Sequence, residues 1–231
     1  MGGTKGKGTF TQKGGVINVA NAYIRWWTNA VGTFRGWGPF NATGTFGVNG
    51  RVIADGFGTD HTLIITNYSS FVNDVDNEVS QTNGWYAVNN GKLKLKDIAV
   101  SAGDSTNYWG EQINLDLINA VKLDLSGCSG SGELSGELYD SAHSSVPEFN
   151  ANKSKFAGIW KFDANNFTFT SADLTFRYDH SKPGELGFAE ADLKVYRHSA
   201  TGGKWAQITD FGLNTIGKKI TASNTNSLAY F

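Results

Sequence analysis

Gly8-Thr9-Phe10-Thr11-Gln12-Lys13-Gly14-Gly15-Val16-Ile17-Asn18-Val19-Ala20-Asn21-Ala22 is the stretch on which the reading of the fold turns. Its opening triplet returns as Gly32-Thr33-Phe34 and again as Gly44-Thr45-Phe46, at intervals of 24 and 12 residues. A period of roughly twenty to twenty-five residues is about one coil of a right-handed parallel β-solenoid, where each coil buries its apolar face only by stacking on its neighbours. Chance recurrence in a chain rich in Gly, Thr and Phe is the competing reading, and the unequal intervals leave it open.

Composition narrows the classes. Of 231 residues, 29 are Gly and aromatics reach 13%, which excludes a disordered chain because so many rings bury ample apolar surface. The glycines have no three-residue period and Pro numbers only 3, so collagen is excluded. A single Cys rules out a disulfide framework and a thiolate metal cluster. The formal net charge of -1 gives no electrostatic case for nucleic acid or an anionic membrane. No window reaches the ~18 consecutive apolar residues of a membrane helix, so membrane insertion is not expected. Met1-Gly2-Gly3-Thr4-Lys5 does not read as a signal peptide. The expectation is therefore an exported bacterial chain whose leader was removed, or a segment of a longer extracellular protein. Scarce Cys with abundant Asn, Thr, Ser and Gly suits that location.

The periodicity is that of strands. Glu111 to Leu125 is a weak helix candidate, yet Ile113–Leu117 and Val121–Leu125 alternate with period two and read as strands. Short alternating runs continue through the chain, from Val16–Val19, Arg51–Ala54 and Thr62–Thr66 to Asp173–Tyr178 and Lys218–Ala222. Asn89-Asn90-Gly91 reads as a type I′ hairpin turn, because Asn-Gly accepts positive φ. Ser126-Gly127-Cys128-Ser129-Gly130-Ser131-Gly132 reads as a flexible surface loop. It lacks the Lys-Ser/Thr ending that a phosphate cradle needs. The expected architecture is all-β: a short right-handed parallel β-solenoid over residues 1–96, then an antiparallel β-sandwich over 97–231.

The opening stretch resembles the repeat of bacterial exported surface proteins with autotransporter-like β-helical stalks. Asn49–Gly56 and Asn83–Leu93 are similar to the stretch that closes such a stalk. Leu174–Asp179, Ala191–Arg197, Lys204-Trp205 and Ser227–Phe231 resemble the small β-sandwich that precedes a Pro-Glu-Pro sorting signal, which is itself absent here. The resemblance implies location and architecture, and it implies no activity.

Chemistry-bearing residues are sparse. Cys128, with His143 fifteen positions on as a base, is the only thiol pair to weigh, and the neutral or acidic neighbours do not favour a thiolate. Asp74, Asp76 and Glu78 alternate, so an extended backbone turns all three one way; they either form a solvated acidic loop or hold a structural Ca²⁺. An acid/base pair drawn from Asp60, Glu111 and Glu133 would make a glycan hydrolase, but no spacing fixes a carboxylate separation. His61, His143, His180 and His198 lack metal-ligand spacing. No catalytic motif emerges, and no cofactor is expected. The aromatics are the strongest feature: Trp26, Trp27 and Trp37 cluster with Tyr23, Phe34 and Phe40, and Tyr108-Trp109 forms a second group. Such rings fill a core, anchor protein partners, or stack on sugar rings. The functional expectation is an extracellular structural or surface scaffold that self-associates through β edges or stacked solenoid ends, or binds other surface or matrix proteins. A carbohydrate-binding module with the Trp/Tyr rings as a polysaccharide platform is the alternative.

Overall fold

The computed structural model describes residues 8–27, 30–73, 84–111, 115–149, 156–199 and 203–231. It is almost wholly β. The strands of the first part are β1 (Gly8–Lys13), β2 (Ile17–Val19), β3 (Ala22–Ile24), β4 (Trp26–Trp27), β5 (Ala30–Ala42), β6 (Thr45–Val48), β7 (Arg51–Asp55), β8 (His61–Ile65), β9 (Ser70–Asn73), β10 (Trp85–Asn89) and β11 (Gly91–Leu95). Those of the second part are β12 (Ile98–Val100), β13 (Gly103–Trp109), β14 (Val121–Tyr139), β15 (Ile159–Thr168), β16 (Ser171–Arg177), β17 (Tyr196–Arg197), β18 (Ala206–Gln207), β19 (Phe211–Asn214) and β20 (Lys219–Thr225). The helical pieces described are α1 (Lys182–Glu185) and a single 3-10 turn at Glu190–Asp192.

Up to β11 the pairing is almost entirely parallel, and it runs in three ladders. In the first, β1 pairs β5 with Gly8 opposite Gly32, Thr9 opposite Thr33 and Phe10 opposite Phe34. The 24-residue interval of the Gly-Thr-Phe triplet is thus a strand register. β5 then pairs β7, and β7 pairs β10. The second ladder runs from β2 to the C-terminal part of β5, then to β8 and β11. The third is β3-β6-β9, with Ala22 opposite Phe46 and Phe46 opposite Phe71. The third Gly-Thr-Phe triplet therefore falls in another ladder, which explains its half-length interval. β4 alone departs, folding antiparallel onto the start of β5.

Rings fill the space between ladders. Phe10 stacks on Phe34 with centroids 5.7 Å apart, Phe34 meets Phe40 at 4.8 Å, and Phe46 meets Phe71 at 6.0 Å. Phe34, Phe46, Val52, Leu63, Tyr86 and Leu93 are buried. Inward alternate residues of parallel strands are aromatic or aliphatic because both neighbouring ladders cover them.

From β12 onward the pairing is antiparallel. β14 is a 19-residue strand that pairs β16 and β13 through its first part, then β15, β12 and β11 through its second. β15 and β16 follow one another, so residues 159–177 run antiparallel to 121–139 as one long ribbon. That ribbon bends where Gly127 and Gly130 have φ of +63° and +86° and Asn166 has φ +64°. Ser126–Gly132 is therefore the bend of a continuous strand and not a surface loop. The glycines supply the positive φ and closeness that a bulged bend requires. β20 and β19 extend the sheet beyond β16.

Two further expectations change. Asn90 does adopt positive φ (+51°), but β10 and β11 belong to different parallel ladders, so Asn89-Asn90-Gly91 is a corner between ladders and not a hairpin. Of the Ile113–Leu117 alternation, residues 113 and 114 lie outside the described set; Leu115 has φ +55° and no strand is present at 115–117. Leu115 and Leu117 are buried nonetheless, so the apolar alternation reflected core contact without a sheet. One hydrophobic cluster runs continuously from Phe34 to Phe231 across the change from parallel to antiparallel pairing.

Candidate functional site at the outer edge of the first strands

The two ends of the parallel ladders differ. At the far end, β11 is covered by β14: Lys92 lies opposite Tyr139 and Lys94 opposite Glu137. Lys92 donates to the Glu137 carboxylate at 2.8 Å, and the Tyr139 hydroxyl also donates to it. Burial opposes the Glu137 charge, yet the Lys92 and Tyr139 bonds prevail and hold its carboxyl below the ordinary range. The edge of β10 is met by Ile118, whose carbonyl accepts the Tyr86 N–H and whose own N–H donates to Gly84.

At the near end, β1 and β2 pair only with β5, and β3 only with β6. Their outer edges have no strand partner among the described residues. Phe10, Val16 and Tyr23 are exposed there at 55%, 59% and 48%. Charge is sparse: between Gly8 and Ile24 the sequence holds one ionisable side chain of either sign at neutral pH besides Tyr23, that of Lys13. Its ammonium lies 4.4 Å from the centre of the half-exposed Phe57 ring. An edge that is nearly uncharged and flanked by exposed apolar side chains is one that accepts another strand.

Side-chain hydrogen bonds tie the corners near this end together. Gln12 is 4% exposed, and its side-chain amide donates to the Gly15 carbonyl at 3.0 Å and the Pro39 carbonyl at 3.1 Å, tying the corner after β1 to the bend in β5. Asp55, at the end of β7, is buried and accepts from the Phe57 N–H at 2.7 Å, from Asn89 at 3.2 Å and from Arg35. Burial penalises its charge, but these three donors outweigh that and keep its carboxyl below the ordinary value.

The residues singled out in the sequence fall in several places. Asp74, Asp76 and Glu78 lie outside the described residues. Trp26 and Trp27 form β4, paired with Val31 and Ala30. Trp37 is half-buried, stacked on His61 with centroids 4.0 Å apart and covering the α-carbon of Gly14. Trp109 is 1% exposed, edge-on to Phe162 at 6.0 Å, so it is core and not a binding surface. Tyr108, its neighbour on the other face of β13, is half-buried. Trp37 belongs to the first ladder and Trp109 to the interior of the antiparallel part, while the side chains of Trp26 and Trp27 lie outside the described set.

No acid pair is assembled either. Asp60 is exposed and accepts the Ser144 N–H at 2.9 Å, Glu111 is buried and accepts the Leu117 N–H at 2.9 Å, and Glu133 is exposed on β14. Cys128 is buried in β14 with Ser105 Oγ at 4.0 Å, while His143 packs edge-on to Tyr139 at 5.0 Å. No group of three or more His, Cys, Asp or Glu that could hold a metal occurs among the described residues. No helix of the described residues is long and apolar enough to cross a membrane. An open edge at the start of the chain is expected from the sequence, but which residues form it is not legible there, because that depends on which strands pair along the rest of the chain. Comparisons with protein-family models, with curated proteins and with solved structures give no match.

Proposed function

We propose that the chain is an extracellular structural scaffold whose residues 8–95 form a short right-handed parallel β-solenoid, closed at one end by an antiparallel β-sandwich and associating with a second copy through the other. The observation that carries this reading is the contrast between the two ends: β14 covers β11, whereas the outer edges of β1, β2 and β3 have no strand partner among the described residues and leave Phe10, Val16 and Tyr23 exposed. The Gly8-Thr9-Phe10 edge already accepts a strand of the same sequence, Gly32-Thr33-Phe34, on its inner side. On the outer side a second copy of β1 would pair antiparallel, as a two-fold axis requires.

The covered end fixes the geometry of association. Head-to-tail stacking would need the β11 edge, which β14 occupies. Open end must meet open end across a two-fold axis, giving a closed dimer and not a filament. The resemblance to stalk repeats, the low charge and the single Cys support the extracellular location. Light scattering coupled to size exclusion tests the association. A dimer that Phe10→Lys combined with Tyr23→Lys converts to monomer, with the melting temperature nearly unchanged, is the expected result. A strict monomer up to about millimolar chain concentration, or a polymer, is the result that defeats it.

A further inference from the structure

A cavity of about 330 Å³ opens in the antiparallel part, far in sequence from the exposed edge. Its floor is core: Trp160, Phe176, Ile220 and Phe231 are each no more than 6% exposed. Its walls are five half-buried rings, Phe149, Phe156, Phe188, Tyr196 and Trp205. Phe149 stands edge-on to three of them, at 67° to Phe156, 76° to Tyr196 and 75° to Trp205, with centroids 4.9–5.9 Å apart. This volume and apolar lining are those of small-molecule sites.

We propose that this cavity binds a small uncharged aromatic molecule. Three polar side chains of the lining are already engaged internally. Trp160 Nε1 donates to the Asn119 carbonyl at 3.3 Å, Trp205 Nε1 to the Pro147 carbonyl at 3.1 Å, and the Tyr178 hydroxyl to Glu190 at 2.6 Å. The rings therefore offer faces and edges. A sugar would surrender hydrogen bonds to water without recovering them, which is costly. Charge gives the same answer: the charged groups at the cavity are Asp192 and Lys194, of opposite sign, so the mouth has no net charge to attract an ion. Crossed ring planes present electron-rich faces and electron-poor edges in different directions around one space. A further ring satisfies both, by edge-to-face and offset contacts, where a saturated chain satisfies neither.

Titration calorimetry of the intact chain with 2-naphthol, decanoate and cellobiose tests this. One equivalent of 2-naphthol is expected to bind with a Kd of about 10–100 µM, the range its few heavy atoms allow. Ala157→Phe, which projects a ring into the cavity from its half-buried wall, should weaken that binding at least tenfold while keeping the melting temperature. If that variant does not fold, Phe149→Leu serves in its place, and the same weakening is expected. Absence of 2-naphthol binding, binding undiminished in the folded variant, or tighter binding of decanoate or cellobiose each overturns the proposal. The outcome is independent of whether the first strands associate.

Discussion

Gly36 stands at the bend of β5, with φ +145° and with the Gln12 carbonyl oxygen only 1.8 Å from where a Cβ would be. No rotamer relieves such a clash, because the atom it meets is backbone. Gly36→Ala should therefore lower the unfolding free energy by about 2–4 kcal/mol, read from urea denaturation midpoints. Gln12→Ala at the same corner leaves two carbonyls without their donor and should cost about 1–3 kcal/mol. Neither role could be read from the repeat alone. Gln12 was visible as a motif position, but its partner Pro39 lies 27 residues on, and only the parallel register brings them together.

Among elements, β14 decides how the two kinds of sheet are joined. Its second half takes β11 on one edge and β15 on the other, and Glu137 sits at that seam with Lys92. Glu137 and Asp55 both have carboxyls held below their ordinary values of 4.5 and 3.8. A carboxyl more acidic in the folded state contributes stability that is complete above its unfolded value and is lost as pH falls through the folded one. The contribution of Glu137 and Asp55 should be complete from about pH 7 to 5 and be lost steeply below about pH 4. Glu137→Gln together with Asp55→Asn should lower the plateau and flatten that acid limb, measured as midpoint against pH. A steep limb retained in the double variant would show that other carboxylates govern it.

Legibility at this scale followed locality. Runs such as Thr62–Thr66 and Lys218–Ala222 appear as strands because alternation is a property of consecutive residues. Asn89-Asn90-Gly91 predicts both the positive φ and a hairpin, and only the first holds, since a turn residue fixes a local angle and says nothing of which strands pair afterwards. The Gly-rich segment 126–132 predicts a loop for the same reason: the glycines mark a bend, and only the partner strands within 159–177 keep it paired. The aromatic cavity was invisible because its walls come from five places between residues 149 and 205.

At the scale of the whole molecule, one apolar cluster crosses both parts, and residues of β14 belong to it along their full length. The two parts should unfold together. Far-ultraviolet circular dichroism and tryptophan fluorescence are expected to give coincident urea transitions, and two separated transitions would show independent units.

The covered end also has a consequence in time. The ribbon of 121–139 with 159–177 needs one closure, between Tyr139 and Ile159, 20 residues apart, and then zips along its whole length. Each short parallel strand needs a closure of its own across some 18 to 34 residues, as with Thr33 to Arg51 and Arg51 to Trp85. Loop-closure entropy favours the ribbon as the earliest large structure. The parallel strands then add onto β14 in reverse sequence order, β11 first and β1 last. Hydrogen exchange should record that order as a gradient, with amides of β11 the slowest in the ladders and those of β1 the fastest. Fraying would then begin at Phe10, the very edge on which a second copy is proposed to seat, and dimerisation should slow exchange there most of all.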